Sequence, residues 1–289
     1  MLFPIFRSGA ARLVARIAIP AKLSLYSGRR AVIRQCMNDD QNSDKRITIS
    51  IVSHGQLALI APLLAQLDRF SAPAIAKVLL TINIPEPALA PVKYDFPLET
   101  IENARPLGFG ANHNQAFVRC ATPFFLVLNP DIRLESDILT PMLALEDART
   151  GVMTPRIIEP GKTSPEAHRA ILTPLEILTR RGANYLAPAT PAWIPGLFML
   201  FRSRAFADVG GFDARFFMYA EDFDICARLR LSGWRIAVAS DLLALHDARR
   251  AARKDFKHFL WFVSSVLKVW LSPTFWRYRQ LLRAEPARR

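Results

Sequence analysis

Cysteine is nearly absent from this chain: Cys36, Cys120 and Cys226 are the only three in 289 residues, far apart and odd in number. No C-x-x-C pair and no Cys/His spacing of a zinc site occurs, so the thiols fit a reducing compartment as small core residues. Long apolar runs are missing too. A membrane-spanning helix needs roughly 18 or more uninterrupted apolar residues, and the longest candidate, Phe259–Leu271, is broken by Lys268. The N-terminus has no compact apolar stretch followed by a small-residue cleavage site, which argues against a secretory signal. Its Arg-rich composition fits a transit peptide, and fits a disordered extension or a start assigned too early at least as well. Acids are absent from residues 1–37, which carry seven Arg/Lys, and residues 249–289 set eleven Arg/Lys against only Asp255 and Glu285. The net charge of +13 therefore sits at the two ends, and residues 38–248, with 20 basic and 23 acidic side chains, are slightly acidic. A nucleic-acid enzyme spreads its basic residues along a face of the folded domain, so that class is disfavoured. Basic ends mixed with aromatic and aliphatic side chains suit an anionic membrane surface instead.

What is present is enough apolar material for one large core, at 51% of the residues, and the pattern predicts one catalytic domain with appended ends. Residues 1–46 read as a basic extension and polar linker, 47–248 as the domain, and 249–289 as a basic, aromatic, amphipathic segment. Strands are predicted at Ile47–Val52, Val78–Ile84, Phe124–Leu128, Gly151–Ile158, Leu197–Phe201 and Trp234–Ala239. Helices are predicted at Leu57–Phe70, Ala111–Cys120, Ser136–Leu145, Arg204–Val209 and Ala220–Ser232, the last stopped by Gly233. Residues 88–100 read as a Pro-rich loop holding at most a short strand, and 159–193 as an insert without clear periodicity. Strands alternating with helices argue a three-layer α/β sandwich around a mainly parallel sheet. Ligands on such sheets lie at the carboxyl ends of the strands, where Ser53, Asn83 and Asp131 would fall.

Three groups of residues carry chemistry. Asn129-Pro130-Asp131 follows a wholly apolar strand, where a carboxylate can ligate Mg²⁺ or Mn²⁺; its plain counterpart is an ordinary turn. Gly108-Phe109-Gly110, leading to Asn112 and Asn114, lets backbone approach a ligand at a helix start, though no Gly-Lys-Ser/Thr makes it a phosphate loop and it does not directly follow the first strand. Glu221-Asp222-x-Asp224 opens a helix behind Phe216-Phe217-Met218-Tyr219. One or two acids there would cap the helix; three suggest a carboxylate in a partly apolar pocket, fit to act as general base. Arg228, four residues beyond Asp224, reads as its structural partner. His246 ends the last strand region.

Taken in order over residues 47–246, these elements resemble the family 2 glycosyltransferases of the GT-A fold, and more narrowly their bacterial rhamnosyltransferase-like members. The matching stretches are Ile49–His54, Asn103–Asn114 (N-x-G-F-G-x-x-N), Leu128–Asp131 (L-N-P-D), Gly196–Arg202 (G-x-x-M-L-x-R) and Val209–Asp224 (V-G-G-F-D-x-x-F-F-M-Y-x-E-D-x-D), followed by Arg228-Leu229-Arg230 and His246. The resemblance implies roles. Asp131 answers to the metal-binding acid of a D-x-D motif whose first Asp is replaced by Asn129. His246 completes the metal site, and Asp222 is the base with Glu221 beside it. Ser53, Asn83 and the loop of Gly108, Phe109, Gly110 and Asn114 face the nucleotide. Gly196, Tyr219 and Glu221 lie near the donor and acceptor sugars. Many members carry Asp-Asn after the second strand; here that stretch reads Thr81-Ile82-Asn83-Ile84-Pro85-Glu86, leaving Asn83 or Glu86 to substitute.

The expected reaction is a single inverting displacement. With Mg²⁺ or Mn²⁺, a sugar (a deoxyhexose such as rhamnose, by resemblance) moves from a nucleoside diphosphate donor to a lipid-linked or cell-surface glycan. The enzyme is expected in the cytoplasm, peripheral to the inner face of the plasma membrane. One rival is a sugar nucleotidyltransferase, which needs a Gly-rich, Arg/Lys-bearing loop directly after the first strand where this chain has Ser53-His54-Gly55-Gln56. The other is a non-catalytic membrane-associated sugar-binding protein, against which the retained Asp131, Asp222 and His246 argue.

Overall fold

The computed structural model describes residues 45–145, 147–161, 169–179, 188, 190–247 and 256–285. Most of the N-terminal extension with Cys36, part of the 159–193 insert, and the basic cluster Arg249–Lys254 lie outside the described residues.

Eight strands form one sheet: β1 (Ile47–Ser53), β2 (Ile75–Ile82), β3 (Leu98–Glu102), β4 (Phe124–Leu128), β5 (Ile132–Arg133), β6 (Thr150–Ile158), β7 (Phe198–Arg202) and β8 (Arg235–His246). Their order is β3-β2-β1-β4-β7-β6-β8-β5. The pairs β3/β2, β2/β1, β1/β4 and β6/β8 are parallel, whereas β7 runs antiparallel to both β4 and β6, and β5 antiparallel to β8. All five residues of β4 are buried, as a central strand covered on both faces requires.

Side-chain alternation sorts the core into two layers. On one face Ile47, Ile49, Ile51, Leu126 and Leu128 pack against Ile60, Leu63, Leu64 and Leu67 of α1 (Leu57–Ser71) and against Leu139 and Met142 of α3 (Leu139–Ala144). On the other, Phe125, Val127, Met199 and Phe201 meet Ala116 of α2 (Phe109–Phe117), Phe206 of α5 (Ser203–Asp208), and Phe223 and Cys226 of α6 (Glu221–Leu231). The three-layer expectation is met. A short helix, α4 (Pro174–Thr179), lies in the insert.

Of the differences from the sequence reading, two bear on the site. The strand predicted to stop at Ala239 continues as β8 to His246, because its register against β6 slips: Pro155 faces Ala239 but Arg156 faces Leu243. Beyond this bulge the strand keeps pairing with β6 on one side and takes β5 on the other. The C-terminal segment, set apart by its charge, is not a free tail in its described part. Helices α7 (Phe256–Leu271) and α8 (Pro273–Ala284) bury Val266, Val269, Phe275 and Tyr278 in the second core layer. None of the described helices is long and apolar enough to cross a membrane.

Candidate active site

Asp131 and His246 are brought together by the short antiparallel pairing of β5 with β8. Ile132 of β5 faces His246 of β8, and the Asp247 amide donates to the Asp131 carbonyl at 2.8 Å. The Asp131 carboxylate then lies with Oδ2 3.2 Å from His246 Nε2. Its Oδ1 is buried without a hydrogen-bond partner, a state that is costly for a carboxylate oxygen unless something supplies a positive charge or a donor. An oxygen and an imidazole donor side by side suit a hard or borderline divalent cation. Among the described residues no cluster of three or more His, Cys, Asp or Glu could hold one. A cation on this pair would need further ligands from a substrate.

Asp222 stands in the first turn of α6. Its Oδ2 accepts from the Gly196 amide at 3.1 Å, and its Oδ1 from the amide of Phe223 at 2.8 Å. The next carbonyl, Leu197 O, accepts from the Asn129 amide at 2.9 Å. The segment entering β7 thus holds the Asn-Pro-Asp turn and the acid cluster through two consecutive residues. Glu221 is 6% exposed and its Oε2 has no hydrogen-bond partner. Burial, and then the charge of Asp222, push its carboxyl well above the usual carboxylate range. Asp224 has the expected structural role: Arg228 meets its carboxylate at 2.7 Å and also donates to the carbonyls of Val209 and Gly211.

The approach to Asp222 is strained. Tyr219 (φ 72°) and Ala220 (φ 65°) are both in the left-handed region, which costs non-glycine residues about 1–3 kcal/mol each. The glycine loop offsets this by gripping the preceding segment. The Phe109 amide donates to Phe217 O at 2.9 Å, and a Cβ on Gly108 would lie 2.6 Å from that oxygen. A Cβ on Gly110 would lie 2.5 Å from Cβ of Phe212. The Asn114 side chain closes a two-point clasp, donating to Phe212 O at 2.7 Å and accepting from its amide at 2.9 Å. The Phe109 ring reaches Gly196, where an added Cβ would sit 3.3 Å from its Cζ.

Asn83 is almost fully buried and acts as a hub. Its Oδ1 accepts from the Leu107 amide (2.8 Å) and from Asn103 Nδ2 (2.9 Å), and its Nδ2 donates to Leu107 O and lies 3.0 Å from His54 Nδ1. Asn112 extends the same network to Asn103 and Gly108 O. Ser53 donates to Glu86 Oε1 at 2.6 Å, and the same carboxylate accepts from the amides of Gly55 and Leu57. Glu86 therefore does reach the loop after β1, while Asn83 spends its amide on the glycine loop. His113, next to Phe109, is wholly buried 2.8 Å from Ser50 Oγ; burial lowers its pKa to about 3, so it is neutral.

The sequence allowed the C-terminal helix to pack on the domain but showed none of the contacts by which it becomes a second support of this region. Helix α7 lies over residues 215–220: Ser265 donates to Met218 O (2.9 Å), Lys268 to Arg215 O (2.8 Å), and His258 Nδ1 is 2.9 Å from Tyr219 Oη. Trp261 packs on Phe217 with ring centroids 4.7 Å apart.

The rhamnosyltransferase WbbL of Escherichia coli K12 is 30% identical over 182 residues, covering 56% of this chain and 69% of that protein. The chain belongs to the family 2 glycosyltransferases. The family model described as glycosyl transferase family group 2 matches residues 146–281, which takes in Asp222, His246, α7 and most of α8. The N-acetylglucosaminyl-diphospho-decaprenol L-rhamnosyltransferase of Mycobacterium tuberculosis is 30% identical over 149 residues, 45% of this chain but only 48% of that family member's own length. The fold recurs in GalNAc-T7 solved with UDP, GalNAc and Mn²⁺ (TM-score 0.60, 15% identity, 86% of this chain and 52% of that one). It recurs again in the mannosyltransferase PcManGT of Pyrobaculum calidifontis solved with GDP-Man and Mn²⁺ (TM-score 0.51, 14% identity, 91% and 83%). The architecture is therefore GT-A.

Proposed function

We propose that this glycosyltransferase moves a sugar, a deoxyhexose such as rhamnose, from a nucleoside diphosphate donor to a hydroxyl of a lipid-linked or cell-surface glycan, with inversion. The observation that carries this reading is the suspension of Asn129 and Asp222 from Leu197 and Gly196, which sets the Asp131/His246 pair and the acid cluster on one stretch of backbone. Asp131 and His246 would hold Mg²⁺ or Mn²⁺, which supplies positive charge for the leaving diphosphate when bound. Asp222, oriented by two backbone amides, takes the proton from the attacking hydroxyl. Glu221, buried beside it and favouring its neutral form, leaves the negative charge of the pair on Asp222. The rhamnosyltransferases among the relatives support the donor sugar, and the mycobacterial one, named for a diphospho-decaprenol acceptor, supports the lipid-linked acceptor.

The nucleotidyltransferase alternative is weaker on physical grounds. The amides of Gly55 and Leu57, where a triphosphate would seek donors, are already occupied by the Glu86 carboxylate. A second anion there would meet like charge.

The test is a panel of nucleoside diphosphate sugars with Mn²⁺, read as slow release of nucleoside diphosphate and as transfer to a polyprenyl diphosphate-linked sugar. One donor should stand out, and its turnover should vanish with chelator. A chain that turns over no donor under these conditions would not be the proposed transferase.

A further inference from the structure

Helix α7 has two opposed faces, and each does something different. Ser265, Val266 and Val269 are buried in the body. On the other side Phe256 (72% exposed), Phe259 (59%), Leu260 (50%), Leu267 (49%) and Leu271 (83%) form one stripe at helical spacing. Exposed Lys257 and Lys268 run along one edge of the stripe, and the half-exposed Trp276 of α8 donates to Trp270 O of α7. Residues 256–284 contain five Lys/Arg and no Asp or Glu, and Arg249, Arg250, Arg253 and Lys254 precede them in the chain. An apolar stripe bordered by cations and free of acids complements an anionic lipid surface. A second copy of the same basic surface would repel it.

The inner side of the same helix carries His258, Trp261 and Ser265, and Lys268 at its edge reaches back to Arg215 O; together they hold Arg215, Phe217, Met218 and Tyr219 just ahead of Asp222. The N-terminal half of α7, which bears His258 and Trp261, has no fully buried residue; those lie further along at Ser265, Val266 and Val269. It is therefore the half with least anchorage to the body and most apolar surface toward solvent. We propose that the outer stripe of α7 seats on anionic lipid and that seating tightens the hold of His258 and Trp261 on residues 215–220, so that Asp222 is fully positioned only at the membrane. The proposal rests on the transferase reading of Asp222, but the lipid contact and its transmission can be measured without turnover.

The full chain is mixed with phosphatidylcholine vesicles with and without about a quarter phosphatidylglycerol, and read by sedimentation and by amide hydrogen exchange. Binding to the anionic vesicles only, with exchange in residues 215–222 slowed about fivefold or more, is the expected result; fivefold is the lower end of typical couplings between sites. Leu260→Glu/Leu267→Glu, at exposed positions, should abolish sedimentation and the slowing together while the far-UV spectrum stays unchanged. His258→Ala should still sediment yet lose the slowing at 215–222. Anionic binding without slower exchange would overturn the transmission. Equal binding to both vesicle types, or a stable dimer that the Leu260/Leu267 variant dissolves, would overturn the lipid assignment. If the vesicle results hold and no sugar donor is turned over, the transferase reading alone has failed.

Discussion

The two corners of the candidate site are built in opposite ways. The Asp131/His246 corner hangs on a backbone ladder: two strands pair, and the side chains follow. The Asp222 corner hangs on side chains and on glycines, with α2 clasping from one side, α7 from the other, and two left-handed residues between. A ladder keeps its geometry when one side chain changes. A strained loop held by several small contacts does not, because each contact offsets part of a backbone cost. The first corner should therefore lose chemistry without losing structure, and the second should lose both together.

The sharpest break in this contrast is Asp222→Asn. Shape is kept, and one of the two backbone amides that Asp222 accepts from keeps its acceptor, while basicity is removed, so transfer should fall about a hundredfold or more with donor affinity nearly unchanged. Single-turnover rates beside a donor titration check this, and residual turnover above about a tenth would move the base elsewhere. Gly110→Val tests the clasp. Its added carbons collide with Phe212, whose Cβ is 2.5 Å from an ideal Cβ at that position. We expect a loss of about 1–3 kcal/mol of stability in urea melts, with turnover lost in the protein that remains folded. Asp131→Ala should leave the melt nearly unaltered and weaken nucleoside diphosphate binding about 10- to 100-fold, a typical cost of disturbing a metal site. That loss should appear only when Mn²⁺ is present; equal metal dependence in variant and parent would remove Asp131 from the cation site.

The smallest effect is on pH dependence. The raised carboxyl of Glu221 means the folded chain holds a proton there that the unfolded chain releases. Stability from this group therefore falls as pH rises from the ordinary carboxylate range toward the raised folded value. Glu221→Gln should flatten that fall, melting higher than the parent at pH 8 and little differently at pH 4. Identical pH profiles would mean that Glu221 is not held neutral.

What the sequence disclosed follows the same division. β4 is an uninterrupted apolar run and β1 is rich in β-branched residues, so both were legible locally, and Asp224 with Arg228 was legible from its four-residue spacing. The convergence of Asp131 on His246, 115 residues away, came from family resemblance, since no local pattern encodes a register. The glycine loop announced that backbone must come close to something without saying to what; the partners are Phe217 and Phe212, about a hundred residues on. Helix α7 misled in a specific way. Ser265 and His258 face the body and Leu271 faces out, the reverse of ordinary amphipathic patterning, so its composition spoke of an outer surface and concealed the inner contacts. The slip in β8 had no signature either, because Ser240-Asp241-Leu242 reads as the end of a strand.

The tether at Gly196 and Leu197 has a geometric consequence. Asn129 hangs from the carbonyl of one residue and Asp222 from the amide of its neighbour, so both sides of the site share one short stretch of backbone. Altered loops or helices can change what lines the site while this shared attachment stays. A change at Gly196 or Leu197 would therefore reach both sides of the site at once, whereas a change in either flanking element would reach one.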